Sequence, residues 1–303
     1  MSNVVEDVLR GTLSYLRFTL SLSSKDVRDI VKSNPSVLKY SRLQCEKFVT
    51  LMLGFFSKDV VREVVIKCPK LLGYNTGLLE EKIKVFREIT GFGEEDYEVF
   101  VGRNPKIFKY GVENFRGTVE YFKGLGIGEE GLERILLNYP RILTYSVTSK
   151  LRPNISYFTD RLDLKPRDVP VLLKGFPPLA WLRKEDLERK LEFLETELGY
   201  DKEDMRGMIL RMPQVLGLSL ERNLKPSLEY LREEIGEASL RESCKEFPSV
   251  LVYSLEGRVR PRVEELKRRG FEPRFVQVYV LGLGEERWKK WLEKQGETWT
   301  INE

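Results

Sequence analysis

The sequence predicts an all-α fold, an α-solenoid or superhelix of about seven to eight repeats, each made of a helix, a 3₁₀ turn and a second helix. A motif of Pro, any residue, two apolar residues, any residue and usually Tyr recurs seven times, at intervals of 34 to 37 residues. Apolar residues at helical spacing lie on both sides of the motif. A fixed period of this length is typical of solenoids, in which each repeat buries its apolar face against its neighbours.

The elements follow from the residues in chain order. Residues 1–22 carry the pattern of a second helix with no motif before it, so we predict that they form an N-terminal half-repeat cap. The seven motif copies begin at Pro35, Pro69, Pro105, Pro140, Pro177, Pro213 and Pro248. Residues 271–296 are predicted to form an atypical C-terminal cap, as repeat arrays usually have, and residues 297–303 a disordered tail. The whole chain, 1–303, is thus predicted to be a single domain.

Each motif copy separates two helices. Proline pushes the residue before it out of the α region, which ends the first helix. The small residue after the motif tyrosine is an acceptable N-cap for the second helix. The second helices share an apolar pattern that starts at Leu9, Leu79, Phe115, Leu151, Leu187, Leu224 and Val259. Glycines near their ends predict left-handed C-caps at Gly91, Gly124, Gly199, Gly236 and Gly270.

Composition argues against an enzyme. Histidine is absent, which removes the commonest general base and metal ligand. No phosphate-binding loop or nucleophile elbow occurs in the sequence. The three cysteines are scattered without a CxxC pair, so they predict buried thiols and no zinc site. From these absences we predict no catalytic residue, no metal and no cofactor. No apolar run approaches the ~18–20 residues of a membrane span, so we also predict no membrane insertion.

The positions of the cations are more informative than the net charge of +4. The residue before the Pro or Gly of the second helix is basic in five of the seven aligned helices, at Arg10, Arg116, Arg152, Lys225 and Arg260. If this proline lies in the first helical turn, the helix dipole disfavours the cation, and a repeated unfavourable charge indicates a bound anion. If the helix begins at the earlier serine, that argument weakens. Pairing with a carboxylate of the adjacent repeat is the alternative.

Other cations extend the candidate interface. Arg189 and Lys190 lie beside the position where one second helix has glutamate, and Arg258 and Arg262 flank Arg260 in a dense basic cluster. The predicted nucleic-acid-binding residues are therefore Arg10, Arg116, Arg152, Arg189, Lys190, Lys225, Arg258, Arg260 and Arg262. Further candidates directly follow the motif proline, at Lys70, Lys106 and Arg141. Cations two or three residues before the motif proline, such as Lys67 and Arg211, are expected from the helix dipole alone.

The aromatic residues of the motif have two interpretations. The tyrosines could stack on bases, but their place beside the buried apolar pair favours packing between repeats for Tyr40, Tyr74, Tyr110, Tyr145 and Tyr253. Trp288 and Trp291 are predicted to close the C-terminal end of the array.

These features together resemble the mTERF family, the mitochondrial transcription termination factors and their plastid relatives. The resemblance rests on the Pro-x-apolar-apolar-x-Tyr-Ser motif, on the Leu-Arg/Lys-Pro start of the second helix and on the glycine at its end, and it extends from residue 9 to about residue 295. Residues 253–262 are more similar to the plant and algal branch than to the animal branch. The fifth motif copy departs from the family pattern, because residues 181–183 replace the Tyr-Ser ending.

The resemblance implies a superhelix whose positively charged concave groove binds double-stranded DNA or RNA. It implies a non-enzymatic role in organellar gene expression, in transcription termination or regulation or in RNA processing, with organellar gene-expression proteins as further partners. We expect a monomer in the chloroplast or mitochondrion after removal of a transit peptide, with the chloroplast favoured. The alternative is a protein-interaction scaffold, which the nearly balanced charge and the common use of α-solenoids as protein binders favour.

Overall fold

The computed structural model describes residues 2–273 and 276–299, and the side chains of residues 11–273 and 276–295. Every regular element in that part of the chain is helical, so the predicted all-α repeat fold is confirmed. The chain divides into two compact units, residues 1–149 and residues 150–303. Each unit contains successive copies of a first helix, a 3₁₀ turn, which we call the motif turn, and a second helix.

The helices of the first unit are α1 (Ser2–Thr19), α2 (Ser24–Ser33), α3 (Arg42–Leu53), α4 (Lys58–Lys67), α5 (Thr76–Thr90), α6 (Glu94–Arg103), α7 (Val112–Gly124) and α8 (Glu129–Asn138). Its motif turns are Pro35–Lys39, Pro69–Gly73, Pro105–Lys109 and Pro140–Thr144. The even-numbered helices are first helices, and the odd-numbered helices are second helices.

The helices of the second unit are α9 (Arg152–Arg161), α10 (Asp168–Gly175), α11 (Lys184–Leu198), α12 (Lys202–Arg211), α13 (Lys225–Ile235), α14 (Glu237–Glu246), α15 (Arg260–Arg268) and α16 (Glu285–Trp299). Its motif turns are Pro177–Ala180, Pro213–Gly217, Pro248–Leu251 and Val278–Gly282. The last turn has valine in place of the motif proline, and the helix that follows it, α16, is again a second helix.

The motif turn forms because proline constrains the residue before it. Asn34, before Pro35, has φ −148° and ψ 82°, outside the helical region, and thus ends α2. Its carbonyl oxygen accepts a hydrogen bond from the Val37 N–H at 3.0 Å. The same bond, 3.0 to 3.1 Å long, recurs in all eight described turns. The turn then directs its apolar pair inward, so that Leu71 and Leu72, for example, are completely buried.

Three second helices begin with a wider turn. A π-helical turn precedes α9, α13 and α15, at Val147–Leu151, Leu220–Leu224 and Leu255–Val259. All three helices have proline as their second α-helical residue. Proline lacks an N–H, and its ring would meet the carbonyl group four residues earlier, so the wider hydrogen-bonding register avoids that clash.

The helix therefore begins at the serine before the π turn. The Ser219 hydroxyl accepts a hydrogen bond from the Arg222 N–H at 3.2 Å, and the Ser254 hydroxyl accepts one from the Gly257 N–H at 3.0 Å. Lys225 thus lies more than one turn inside its helix, beyond the reach of the terminal dipole. Of the two helix starts that the sequence left open, the structure has the one that weakens the dipole argument for a bound anion.

Packing follows the repeat. In the first unit, α1, α3, α5 and α7 each pack on the next motif turn, and the first helices α2, α4, α6 and α8 pack in series. In the second unit, α9 and α11 also pack on the next motif turn, and α10, α12 and α14 pack in series. Aromatic rings fill part of the first core, where Phe86 stacks on Phe115 with ring centroids 4.1 Å apart. Each repeat thus completes its core against its neighbour.

Most predicted glycine caps are present. Gly91 and Gly199 have left-handed φ angles of 69° and 59°, and the φ angles of Gly236 and Gly270 are also positive. The prediction for Gly124 is wrong, because Gly124 still belongs to α7 and the positive φ of 85° occurs at Gly126. The helix continues through Gly124, so the glycine with a positive φ lies two residues after the predicted cap.

The predicted terminal caps lie partly outside the described residues. Helix α1 packs on α3 and on the first motif turn, as an N-terminal half-repeat would, but the side chains of residues 1–10 are not among those described. Residues 300–303 also lie outside the described part, so the disordered tail at 297–303 stays a prediction.

Candidate nucleic-acid interface

Two of the repeated second-helix cations pair with a glutamate one turn earlier. Lys225 Nζ lies 2.8 Å from Glu221 Oε1, and Arg260 Nε lies 3.1 Å from Glu256 Oε2. Both cationic side chains keep 39% of their surface exposed. Exposed pairs of this kind contribute about 0–1 kcal/mol, so either cation can exchange its glutamate for a phosphate at little cost.

The same two cations lie against aromatic rings of the preceding second helix. The Lys225 ammonium is 6.0 Å from the centroid of the Phe193 ring, and the Arg260 guanidinium is 4.3 Å from that of Tyr230. Cation–π contacts of this kind are worth about 0.5–1 kcal/mol at exposed sites. These contacts hold the two cations at equivalent positions in successive repeats.

The other members of this set differ in their surroundings. Arg116 on α7 is half-buried and forms no ion pair with any described side chain. Arg152, at the start of α9, is exposed. The side chain of Arg10 lies outside the described residues, so its role stays a sequence prediction.

The two glutamates that replace the cation have different partners: Glu80 pairs with Lys84 of its own helix at 2.7 Å, whereas Glu188 bonds to the preceding repeat. Glu188 on α11 accepts a hydrogen bond from Arg161 on α9 at 2.9 Å, and Tyr157 donates to the same carboxylate. Arg161 also reaches Glu195 at 2.7 Å. The bonds to Glu195 and Glu188 raise the pKa of Arg161 above its ordinary value. Pairing between repeats, the alternative left open by the sequence, is therefore found at this position for Glu188.

Lys190 and Arg262, both predicted to bind nucleic acid, instead hold the next motif turn. Lys190 Nζ donates to the carbonyl oxygen of Leu216 at 2.7 Å, and burial lowers the pKa of its ammonium group. Arg262 has 6% of its surface exposed, and its guanidinium donates to the carbonyl oxygens of Leu281 and Leu283 at 2.9 and 2.6 Å. Both charges are therefore bonded to backbone carbonyl groups of the protein itself, and neither residue belongs to the proposed interface.

These contacts belong to a wider pattern at one position, three residues after the first apolar residue of the second helix. We call the residue there the clamp residue. Lys82 Nζ donates to the carbonyl oxygens of Phe108 and Tyr110 at 2.8 and 2.9 Å, and Asn154 Nδ2 donates to that of Leu182 at 2.7 Å. The acceptors lie three or five residues after the start of the motif turn, where a helix end leaves carbonyl groups without an internal partner. Lys82, Asn154, Lys190 and Arg262 satisfy these groups across the repeat boundary, whereas Thr118 at the same position bonds to the carbonyl oxygen of Asn114 in its own helix.

Cations near the ends of first helices are also structural. Lys67 Nζ donates to the carbonyl oxygen of Gly102 in the next first helix at 2.9 Å. Arg211 donates to the carbonyl oxygen of Lys245, whose ammonium pairs with Asp204 at 2.6 Å. Lys67, Arg211 and Lys245 thus connect neighbouring first helices, in agreement with the structural role that the sequence favours for this series.

Two further candidates lie nearer the surface. The Arg189 side chain is 68% exposed and pairs with Asp186, three residues earlier. Arg258 is half-buried, and its guanidinium lies 4.8 Å from the centroid of the Tyr253 ring. Neither side chain has a described hydrogen bond to a backbone carbonyl group, so both remain candidates for phosphate contact.

The motif tyrosines pack between repeats. The ring of Tyr40 lies so close to Gly73 in the next motif turn that a Cβ atom added there would be 2.7 Å from it, and Tyr253 lies equally close to Gly282. Trp288 is buried and stacks on Trp291 with ring centroids 5.8 Å apart. Packing rather than base stacking thus accounts for the rings whose contacts are described.

The described residues show no metal centre. Among them, no three histidine, cysteine or carboxylate side chains are grouped as a metal ion would need. The three thiols are buried, and burial raises the pKa of Cys45 to about 11 and that of Cys244 to about 12. Nor does any described helix have the length and apolar character needed to cross a bilayer.

Comparison with protein families matches the chain to mTERF over residues 15–123 and 109–289. The mitochondrial transcription termination factor 3 of Drosophila melanogaster is 25% identical over 181 residues, which are 59% of this chain and 49% of the relative. The chloroplastic transcription termination factor MTERF8 of Arabidopsis thaliana is 26% identical over 220 residues, 69% of this chain and 43% of the relative. Chloroplastic MTERF4 of Oryza sativa is 30% identical over 116 residues, 38% of this chain and 22% of the relative. The chain thus spans less than half the length of each of these relatives.

Proposed function

The chain belongs to the mTERF family, and from that premise we propose that it is a non-enzymatic nucleic-acid-binding protein of organellar gene expression, acting in transcription termination or a related step. The names of its relatives, which are transcription termination factors of mitochondria and chloroplasts, support this proposal. Because residues 253–262 resemble the plant branch, we propose the chloroplast as its location.

The observation that carries the proposal is the exposed cation that recurs on successive second helices. Lys225 and Arg260 occupy equivalent places one repeat apart, each held by an aromatic ring and a weakly bound glutamate. A phosphate group offers each cation a stronger, charge-assisted hydrogen bond than the exposed glutamate does. The proposed phosphate contacts are Arg116 in the first unit, and Arg152, Arg189, Lys225, Arg258 and Arg260 in the second unit.

Binding through these residues would be mainly electrostatic. Cations that contact phosphate groups release counterions, so affinity falls with salt, with a log–log slope of about 0.9 per contact for duplex DNA and about 0.7 for single strands. Sequence preference, where present, would come from the few arginine side chains that reach base edges. The proposal therefore predicts a steep dependence on salt.

The test replaces three of the cations in the second unit with neutral residues. Fluorescence anisotropy would compare the wild type with the variant Arg152→Gln, Lys225→Gln and Arg260→Gln, on single- and double-stranded DNA and RNA at several salt concentrations. The matched control neutralises three exposed cations near the starts of first helices, Lys165, Arg167 and Lys202. We expect the salt slope of the variant to fall by about 2 to 3, and that of the control to stay near the wild-type value.

Two results would contradict the proposal in different ways. No binding by the wild type at low salt would refute the nucleic-acid function and favour the protein scaffold. If the variant binds with the same salt slope as the control, the function stands, but these second-helix cations are not its contacts. A stable protein partner whose binding ignores salt would also favour the scaffold.

A further inference from the structure

The motif turns of the first unit carry an unbalanced positive charge. Their exposed residues include Lys39, Lys70, Lys106, Lys109 and Arg141, which we call the basic edge. The four turns contain no aspartate or glutamate. Three of the five cations directly follow a motif proline, so the same place in successive repeats is positive.

The cations of the basic edge differ in one important respect from Lys225 and Arg260, the two second-helix cations with described glutamate partners. None of the five forms an ion pair with a carboxylate in the described part of the chain, whereas Lys225 and Arg260 both do. The guanidinium of Arg141 lies near the Tyr145 ring, whose centroid is 5.9 Å away. An anion that reaches this edge therefore has no protein carboxylate to displace.

Neighbouring turns bring their charges close to one another. The first two turns pack together directly. Lys106 and Lys109 lie near the thiol of Cys68, which belongs to the preceding repeat. Burial raises the pKa of this thiol, and the two lysine charges oppose that effect. The turns at Pro35 and Pro69 are thus in contact, and the lysines of the turn at Pro105 lie beside the residue that precedes Pro69.

The fold of the motif turn does not require these charges. In the second unit the turns Pro177–Ala180, Pro213–Gly217, Pro248–Leu251 and Val278–Gly282 have the same first hydrogen bond and contain no charged residue. The residue after the motif proline there is Pro178, Gln214 or Ser249. Cations placed only for solubility would not be confined to the turns of one unit. The contrast therefore indicates that the turns of the first unit make a contact that those of the second unit lack.

We propose that the basic edge binds the sugar–phosphate backbone of a nucleic acid, as a contact surface additional to the second-helix cations. This inference rests on the proposed function and adds a second site to it. Packed helices lie about 8–10 Å apart, so four successive turns extend over roughly 24–30 Å. At about 3.4 Å of helix axis per nucleotide of each strand, this span corresponds to about seven to nine base pairs of a duplex.

The test neutralises the three cations that follow a motif proline. Anisotropy with a fluorescent 12-nucleotide single strand and a 12-base-pair duplex would compare the wild type with the variant Lys70→Gln, Lys106→Gln and Arg141→Gln. The matched control, Lys25→Gln, Lys58→Gln and Lys123→Gln, removes the same charge from exposed positions of the same unit outside the turns. We expect the salt slope to fall by about 2 to 3 in the variant and to change little in the control. Circular dichroism would verify that both variants keep the wild-type helix content.

The outcomes separate this inference from the proposed function. If the wild type binds with a steep salt slope and the edge variant keeps that slope, the basic edge is not a contact and the function stands. An unchanged slope would leave an acidic protein surface as the partner of the edge. If the wild type does not bind either probe, the proposed function fails and this inference fails with it.

Discussion

The clamp residues provide a sharp test, because the chain places a clamp and an exposed cation next to each other. Lys190 donates to the carbonyl oxygen of Leu216 at 2.7 Å, whereas Arg189 is 68% exposed. The variants Lys190→Met and Arg189→Met remove one positive charge each from adjacent positions of α11. Methionine keeps an unbranched apolar stem, so little packing is lost in either variant. The two substitutions therefore differ mainly in what the charge was bonded to.

The expected cost of Lys190→Met follows from that hydrogen bond. A hydrogen bond to a charged group contributes about 1.5–3 kcal/mol, and a buried carbonyl group left without a partner costs about 1–3 kcal/mol. Part of this is offset because the ammonium group no longer has to be removed from water, the effect that lowers its pKa. We expect the free energy of unfolding to fall by about 2 kcal/mol. Arg189→Met breaks only an exposed pair with Asp186 and should change it by less than about 1 kcal/mol.

Urea unfolding and nucleic-acid binding would be measured on both variants. With a urea dependence of about 2–3 kcal/mol per M, the loss in Lys190→Met moves the unfolding midpoint down by about 0.7–1 M. We expect its nucleic-acid affinity to stay near the wild-type value, since its charge faces a carbonyl group. Arg189→Met should show the opposite result, with unchanged stability and a salt slope lower by about 0.7–0.9.

Either of two results for Lys190→Met would contradict the proposed role of Lys190. If Lys190→Met were as stable as Arg189→Met, the carbonyl contact would not hold the motif turn. If Lys190→Met lost affinity while its midpoint stayed constant, the interpretation of Lys190 as a nucleic-acid contact would be correct.

Two further predictions concern stability. Gly217→Ala should lower the free energy of unfolding by about 1–3 kcal/mol, because its Cβ atom would lie 2.5 Å from the Phe176 ring. The control Gly207→Ala, within α12 and with no atom in its way, should raise it by about 0.5–1 kcal/mol in the same urea experiment, and equal effects would contradict the close packing. Burial raises the pKa of Tyr230 to about 12, so the stability it contributes is complete below pH 10 and is lost as the pH rises towards 12. The urea midpoint should therefore fall less between pH 9 and pH 11.5 in Tyr230→Phe than in the wild type, and parallel decreases would contradict this.

The fold could be predicted from the sequence because its determinants are local. Proline acts on the residue before it, and the seven described turns that begin with proline all have the same first hydrogen bond; the turn at Val278 forms this bond without proline. Burial of the apolar pair and packing of the tyrosine against the next repeat follow from the period of the motif. The π turn before Pro153, Pro226 and Pro261 was harder to predict, since the sequence allowed either of two helix starts. The structure has the start that removes the dipole argument for a bound anion.

The roles of individual cations could be predicted less well, because they depend on what the adjacent repeat presents. Lys190 and Arg262 look like surface residues in a linear sequence, but each faces the carbonyl groups of the next motif turn. A signal was present, however. A polar residue recurs on the apolar face of successive second helices, and Lys82 and Asn154 belong to the same series. A polar residue repeated within an apolar stripe indicates a buried hydrogen-bond partner.

The number of proposed contact cations determines the salt dependence that we expect for nucleic-acid binding. Of the nine predicted contacts, Lys190 and Arg262 bond to the backbone and the side chain of Arg10 is not described, which leaves six. The basic edge adds five. If all eleven contacted phosphates, the log–log salt slope would be about 8 to 10, and the six second-helix cations alone would give about 4 to 5. A measured slope near the lower value, unchanged by substitution in the motif turns, would confine binding to the second helices. A slope near the higher value that falls when the motif-turn cations are replaced would add the basic edge to the contacts.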